Sequence, residues 1–520
     1  MQMETSTFDA ENLHFDDQDT WDLISSGRTK GVFQLESSLG KSWAKRVKPN
    51  NIEELSDLIA IIRPGCLKAV VDGKTMTQHY VDRKNEKESV TYIHPSLEPI
   101  LKKTQGVLVY QEQSMQIAQQ LAGFTLEDAD NLRKAIGKKK ADLMAKVKED
   151  FIAGAEKQNT LDKETAEEIF SWIEKSSRYA FNKSHSVSYA ICSYWSAYAK
   201  FHYPLEFYSN YLKHSGGKPD PQKEVKELVV DAKSNDINVH PPSLKYMNKE
   251  TVVKDGKIYF GLTNVKSLGE RAINSIVDKL PENAHEMSWY EFLIETCGEV
   301  NKTYIQAMIE SGVVSVMGVS RQKMKYEFTT VQELSKKEQE WVKENYKDYE
   351  GLIPLLRSLA RPKKEGGGVA NKNRLEMVMS LVDMLENPPM SLEDDPNWII
   401  QTETNYYGTP LTFSEIDTYD TSRSDTTCKD IINGKIGTVK IAATIVEYNK
   451  YIPTKGKAAG KEMVFMQVED GTGSIENVTM FNESWIKHKN ITYIGNNILL
   501  VGKASSGDRA GIIVDEMYEL

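Results

Sequence analysis

The sequence predicts a multidomain, mainly α-helical protein that ends in a small β-barrel, and three observations lead there. A chain of 520 residues is too long for one hydrophobic core, so roughly two to four domains are expected. Apolar residues recur at helical spacing through most of the chain, as in "NIEELSDLIAII" and "SMQIAQQLAGF". Near residue 430 the period changes. "KIGTVKIAATIVEY", "KEMVFMQVED", "SIENVTMF" and "NNILLVGKA" are short alternating or β-branched runs at regular spacing, the pattern of a small barrel.

Composition narrows the class. Apolar residues make up 40% and charged residues 27%, an ordinary globular balance. No run approaches the roughly 18 apolar residues of a membrane span. The opening "MQMETSTFDAENLHFDD" is acidic where a signal peptide is basic and then apolar, so a soluble, intracellular protein is expected. Cys66, Cys192, Cys297 and Cys428 stand more than 100 residues apart, a spacing that suits neither a zinc site nor a disulfide framework. The net charge of -10 argues against wholesale coating of nucleic acid, but local basic patches decide that question.

Residues 1 to about 240 form a helical region. Asp16, Asp17 and Asp19 precede a helical pattern and fit the role of caps. In "DADNLRKAIGKKKADLMAKVKED" (128–150), Arg133, Lys134, Lys138, Lys139 and Lys140 crowd one short stretch, and Lys134 and Lys138 share a helix face. Such a run is either a solvated face or a seat for a polyanion such as a triphosphate or a nucleic-acid backbone. In "SSRYAFNKSHSVSYAICSYWSAYAKFHYPLEFY" (176–208), Val187, Ala190, Ile191, Tyr194, Trp195 and Tyr198 mark the core face of a helix that Pro204 ends. Asn182, Lys183 and His185 stand at its start, where free N–H groups and the helix dipole favour an anion. An N-cap asparagine beside a solvated lysine fits the same residues.

A second region spans 241–330. A hairpin is expected at Asp255-Gly256, followed by a turn from Val265 to Gly269 that leads into a helix at Glu270 and exposes amides able to hold a phosphate. A plain joint between helices is the alternative. Residues 331–428 read as charged helices broken by "RPKKEGGGVANKN" (361–373), expected as a flexible loop, and by "ENPPMSLEDDPN". Residues 429–520 are the barrel. Its first hairpin loop carries Lys455, Lys457 and Lys461, and Phe465 and Phe481 lie near its face, a combination suited to single-stranded nucleic acid or to a protein contact.

Taken together and in this order, the motifs resemble the fingers-to-barrel portion of the bacterial DNA polymerase III alpha subunit, the C family of DNA polymerases. "GVFQLESS", "LIAIIRPGCL", "GVLVYQEQSMQIAQQLAGFTLEDADNLRKAIGKKK", "YAFNKSHSVSYA" and "AYAKFHYPLEFY" look like its fingers motifs. "GLTNVKSLGERAI" is similar to its helix-hairpin-helix, "NYYGTPLT" to its linker and "GKEMVFMQVEDGTGSIENVTMF" to its OB-fold.

The resemblance implies that Arg133 and Lys134, with Lys138 and Lys139 alongside, grip the triphosphate of an incoming deoxynucleotide. Lysine at 134 replaces the more usual arginine and loses its bidentate fork. It further implies that Phe181, Asn182 and His185 shape the base and sugar pocket and that Lys183 meets phosphate. Gly31 to Ser37, Arg63 and Tyr110 to Gln113 would be pocket wall and template-side contacts. DNA would be held by Arg63, Lys140, Val265, Lys266, Ser267, Gly269, Lys455, Lys457, Lys461 and Phe465.

The family's palm carboxylates, which hold two Mg²⁺ ions, have no counterpart expected in this sequence; Asp394 and Asp395 lie in a Pro-bounded loop. The implied protein is the C-terminal part of a split, bacterial or virus-encoded cytoplasmic polymerase. Its partners would be primer-template DNA, deoxynucleoside triphosphates, a palm-bearing chain and a sliding clamp, with no membrane. The alternative is a non-catalytic DNA- and clamp-binding accessory protein. "QKMKYEF" (322–328) is a poor clamp peptide and reads better as helix.

Overall fold

The computed structural model describes residues 9–138, 141–177, 180–369, 371–456, 458–506 and 511–520. The chain divides into two compact units, Met1–Pro204 and Leu205–Leu520.

The first unit is helical, as its apolar periodicity requires. Its elements are α1 (Gln18–Ser26), α2 (Ser38–Val47), α3 (Ile52–Ile61), α4 (Pro64–Lys68), a two-stranded ribbon of β1 (Val70–Val71) and β2 (Lys74–Thr75), and α5 (Met76–Lys84). Then come α6 (Glu98–Leu101), α7 (Gln111–Ala122), α8 (Leu126–Lys138), α9 (Ala141–Lys157), α10 (Lys163–Ser177) and α11 (Lys183–His202). Asp17 caps α1 by accepting the Thr20 amide, as its position before an apolar pattern predicts.

Two cores organise this unit. One gathers Ile24, Leu35, Leu58, Tyr80 and Tyr194 from α1 to α5 and α11. The other gathers Ile117, Leu132, Phe151 and Phe170 from α7 to α10. Helix α3 is buried along its length from Leu55 to Ile61, so it lies inside the first core. Helix α11 packs on it with a narrower and more polar face than the expected stripe. Ser186, Ala190, Ser193, Tyr194, Ala197 and Lys200 are buried, whereas Val187, Ile191, Trp195 and Tyr198 are half-buried. Small residues let two helices approach closely, and the buried polar groups are bonded. Ser186 Oγ donates to the Ser56 carbonyl at 2.6 Å, and Lys200 Nζ donates to the carbonyls of Arg28 and Lys30 at 3.0 and 2.9 Å.

The second unit opens with α12 (Pro204–His214) and α13 (Pro221–Ser234). A three-stranded sheet follows in the order β3 (Val239–His240), β5 (Lys257–Tyr259), β4 (Val252–Lys254), with the Asp255-Gly256 turn where the sequence placed it. Helices α14 (Glu270–Lys279), α15 (Trp289–Thr296), α16 (Lys302–Glu310), α17 (Arg321–Val331), α18 (Lys336–Asn345), α19 (Leu352–Leu359), α20 (Lys372–Glu386) and α21 (Pro396–Tyr407) share one continuous core with that sheet. The "QKMKYEF" stretch is part of α17, and its Met324 and Phe328 are buried. Asp395 caps α21, and Asp394 accepts the Gln322 amide, so both carboxylates serve the backbone.

The loop at 361–373 differs from the flexible spacer expected of three glycines. Pro362 and Val369 form a β-bridge, and the Gly368 amide donates to the Leu359 carbonyl at 3.1 Å. A Cβ at Gly367 would stand 1.8 Å from the Arg361 carbonyl oxygen, and one at Gly368 would stand 2.7 Å from the Trp341 ring. Here glycine permits close packing.

After α22 (Cys428–Ile432), the strands β6 (Gly437–Tyr451), β7 (Met463–Asp470), β8 (Gly473–Met480), β9 (Asn497–Ser505) and β10 (Gly511–Glu519) close into a barrel, with α23 (Asn482–His488) between β8 and β9. The order is β10-β8-β7-β6-β9, closed by β9 on β10, and only the β10–β8 pair is parallel. That is the Greek-key arrangement of an OB-type barrel. Strand β6 is long enough to pair β9 with its first half and β7 with its second, with a bulge between Ile445 and Glu447.

Candidate nucleic-acid interface

The expected pocket residues of the first unit meet where α11 begins. Phe181 pairs with the strand-like segment before α7: its amide donates to the Val109 carbonyl at 2.8 Å and its carbonyl accepts from the Gln111 amide at 2.9 Å. Asn182 is the N-cap, its Oδ1 accepting the His185 amide at 2.9 Å. The anion at this helix start is supplied by the protein. Glu112 accepts the Lys183 amide at 3.0 and 3.1 Å through its two oxygens, and the Asn182 side-chain amide at 3.1 Å. Both ends of the Asn182 side chain and the first free amide of α11 are therefore occupied.

What remains open to solvent is a line of rings and cations. The Arg63 guanidinium lies 3.9 Å from the centre of the Phe181 ring. Phe181 faces His185 at 5.5 Å, His185 faces Tyr189 at 4.1 Å, and Tyr189 faces Phe33 at 5.0 Å. Phe33 is the outward-facing aromatic residue of the Gly31–Ser37 loop, whose Val32 and Leu35 are fully buried; the Ser193 hydroxyl holds it through the Phe33 carbonyl at 2.7 Å. Lys183 is exposed, with its ammonium 5.6 Å from the Tyr110 ring centre.

Beneath this line lies a carboxylate that motif reading missed. Asp57 is buried, accepting the Tyr110 hydroxyl at 2.6 Å and the Tyr80 hydroxyl at 2.8 Å. Burial pushes its carboxyl up to about 6, against those two hydrogen bonds and the charge of Lys183. Burial also raises the Tyr110 hydroxyl, and the neighbouring Asp57 charge adds to it. Of the Tyr110–Gln113 stretch, Tyr110 and Gln113 are thus interior. Gln113 Oε1 accepts the Val109 and Tyr110 amides, each at 2.9 Å, and its amide group donates to Thr104 Oγ1 at 2.8 Å. Glu112 and Gln111 are the half-exposed members.

Arg133 and Lys134 stand exposed on α8, and both pair with Asp130, at 2.7 Å in each case. Those two ion pairs hold the Asp130 carboxyl below its usual range, Lys134 contributing first. Helices α7 and α8 form a hairpin through Gly123, so α8 returns alongside the helix whose first amide bonds Phe181. Among the described residues no hydrogen bond, ion pair or ring contact joins Arg133 or Lys134 to Phe181, Asn182, Lys183 or His185. Lys139 and Lys140, and the side chain of Lys138, lie outside the described residues.

In the second unit, the Val265–Gly269 turn is only partly open. Val265 and Leu268 are buried at 1% and 2% exposure, and the Lys266 amide donates to the Tyr406 carbonyl at 3.0 Å. Val265 therefore anchors the turn, while Lys266, Ser267 and Gly269 face solvent. Ser267 takes a φ of 90°, a costly conformation for a residue with a Cβ, and Gly269 is the N-cap residue of α14.

On the barrel, one register line crosses all five strands through Thr438, Lys503, Ile513, Thr479, Phe465 and Asn449, each exposed or half-exposed. Phe465 also meets Tyr451 at 6.1 Å. Lys455 and Lys461 are exposed in the adjoining loop, and Lys457 lies outside the described residues.

Among the described residues no group of three or more His, Cys, Asp or Glu side chains is placed to hold a metal ion, so the residues described do not fit a two-Mg²⁺ centre. No helix among them is long and apolar enough to cross a membrane.

Comparison with known proteins places these features. Residues 1–159 match the bacterial DNA polymerase III alpha subunit finger domain. Residues 236–324, which include the Val265–Gly269 turn, match the helix-hairpin-helix motif. The chain is homologous to proteins named DNA polymerase III subunit alpha. It is 40% identical over 302 residues to the one from Aquifex aeolicus, covering 58% of this chain and 25% of that protein. It is 29% identical over 522 residues to the one from Borreliella burgdorferi, covering 99% of this chain and 42% of the relative. The Thermus aquaticus protein is 36% identical over 316 residues, 60% of this chain and 25% of its own length. The chain thus spans less than half of each of these relatives. The finger-domain match contains Arg63, Glu112, Arg133 and Lys134, and stops before Phe181.

Proposed function

We propose that this chain is the nucleotide-gripping and DNA-holding part of a DNA-directed DNA polymerase of the replicative bacterial kind, acting with palm carboxylates and two Mg²⁺ ions that another polypeptide segment supplies. The observation that carries the proposal is the meeting of the finger-domain match with the Arg63–Phe181–His185–Tyr189–Phe33 line, in which His185 and Phe33 are exposed and the rest half-buried. Such a surface takes a flat base on its rings, while Lys183 is free to meet phosphate. Arg133 and Lys134 would exchange Asp130 for the triphosphate, a stronger and multiply charged partner. The fixed Glu112 carboxylate keeps the phosphate off the α11 amides and leaves it to the side chains.

In the second unit, Lys266, Ser267 and Gly269 would hold the duplex backbone without reading sequence, and the Phe465 face with Lys455, Lys461 and Lys503 would hold a single strand. The test is the assembled complex of this chain, the palm-bearing polypeptide and primer-template DNA. Arg133→Ala with Lys134→Ala should abolish its stabilisation by the next correct deoxynucleotide and leave duplex affinity largely unchanged. Nucleotide dependence that survives the double substitution would overturn the pocket assignment.

A further inference from the structure

The second unit holds a cleft of about 620 Å³ between the β3–β5 ribbon and the turn that precedes α17. It involves neither the Val265–Gly269 turn nor the barrel face. One wall is aromatic. His240 and Tyr259 are register partners in the parallel β3–β5 pair, with rings 5.3 Å apart, and Tyr246 meets Tyr259 edge-on at 5.0 Å. Burial, and then Lys257, lowers the pKa of His240, so it presents a neutral ring at pH 7.

The rim is cationic. Asp255 is already committed, accepting the Tyr246 hydroxyl at 2.6 Å with Lys245 at 3.5 Å. Lys257 makes no ion pair among the described residues. The far wall is fixed. Arg321, 5% exposed, pairs with the buried Glu403 at 2.9 Å and donates to Ser315 and Thr412, so its charge is spent inside the protein. Pro241-Pro242 also line the cleft and have no N–H to offer a peptide backbone.

We propose that this cleft holds one unpaired nucleotide, its base against the His240 and Tyr259 rings and its phosphate at Lys257 and Lys245. The volume lies within the roughly 300–1,000 Å³ of small-ligand sites. Flat aromatic faces beside Lys257, and beside Lys245, which would exchange its 3.5 Å contact with Asp255 for the phosphate, suit a base joined to a phosphate better than an acidic peptide, which would find no backbone donors along the two prolines. The inference rests on the proposal that this unit holds DNA. The same chemistry is offered by a residue of a single strand and by a free nucleotide.

Photo-crosslinking of the full chain separates these. One probe is a single-stranded oligonucleotide carrying 5-iodouracil; the other is 8-azidoadenosine triphosphate. Crosslinks on the peptides carrying His240, Tyr246 or Tyr259 are expected. A strand crosslink that excess nucleotide does not displace assigns the cleft to a strand, and one seen with the free probe alone assigns it to a nucleotide; either supports the inference. Lys245→Ala with Lys257→Ala, both exposed positions, should lower the yield and make the salt dependence of strand affinity shallower by about 0.7 in log–log slope, the value for one phosphate contact on a single strand. Strand binding with crosslinks only near Phe181 or Phe465 overturns this inference and leaves the DNA-holding proposal standing. Failure to bind any strand overturns both. Displacement of both probes from the cleft by poly-glutamate, at concentrations where inorganic phosphate has no effect, would reassign it to acidic peptides.

Discussion

Asp57 and Glu112 set the start of α11 from two sides. Glu112 caps it from outside, and Asp57 ties Tyr110 and Tyr80 beneath it. Neither was visible to motif reading. Asp57 sits inside the apolar run "SDLIAII", where a carboxylate is expected to face water, and Glu112 is one of many acidic residues on helix surfaces. The Asn182 cap was legible because the residue type and the following periodicity agree; the partner 70 residues away was not.

The raised Asp57 carboxyl has a consequence for stability. In the folded chain it keeps its proton up to about pH 6, whereas the unfolded chain releases it near the ordinary value of 3.8. The folded state then binds more protons between those values, so this group's contribution falls as pH rises from about 4 to about 6 and is level above. The change is on the order of 3 kcal/mol. Asp57→Asn, which cannot ionise, should lose this component: the variant's Tm should gain on the parent's across that window. Parallel Tm profiles for the two proteins would contradict the assignment.

At the scale of elements, periodicity carried the fold. The β4–β5 turn, the start of α14 at Glu270 and the strands of the barrel follow from local patterns, and local patterns are what sequence shows. The α11 face and the 361–373 loop were misread for one reason: both depend on what packs against them. Small polar residues on α11 are buried because α3 comes close, and the glycine run is a contact with Arg361, Leu359 and Trp341. Gly367→Ala should therefore destabilise the second unit by about 1–3 kcal/mol through overpacking against backbone, seen as a lower urea midpoint. An unchanged midpoint would mean that the loop yields freely, as a flexible spacer would.

At the scale of the molecule, the net charge of -10 conceals where the cations stand. Among them are solvent-facing cations in the motif segments: Arg133 and Lys134 on α8, Lys183 beside the ring line, Lys266 on the hairpin turn, and Lys455, Lys461 and Lys503 on the barrel. Each lies in a segment whose motif was legible. Of these cations, Arg133 and Lys134 are paired with a carboxylate of the chain itself, Asp130. The measurement that tests the central claim most directly is primer extension with Mg²⁺ and deoxynucleotides, using this chain alone, the palm-bearing polypeptide alone, and the two mixed. Extension by the mixture only, lost with Arg133→Ala and Lys134→Ala, is the predicted result. A mixture that assembles on DNA and extends equally well with those two substitutions, or not at all, would contradict it.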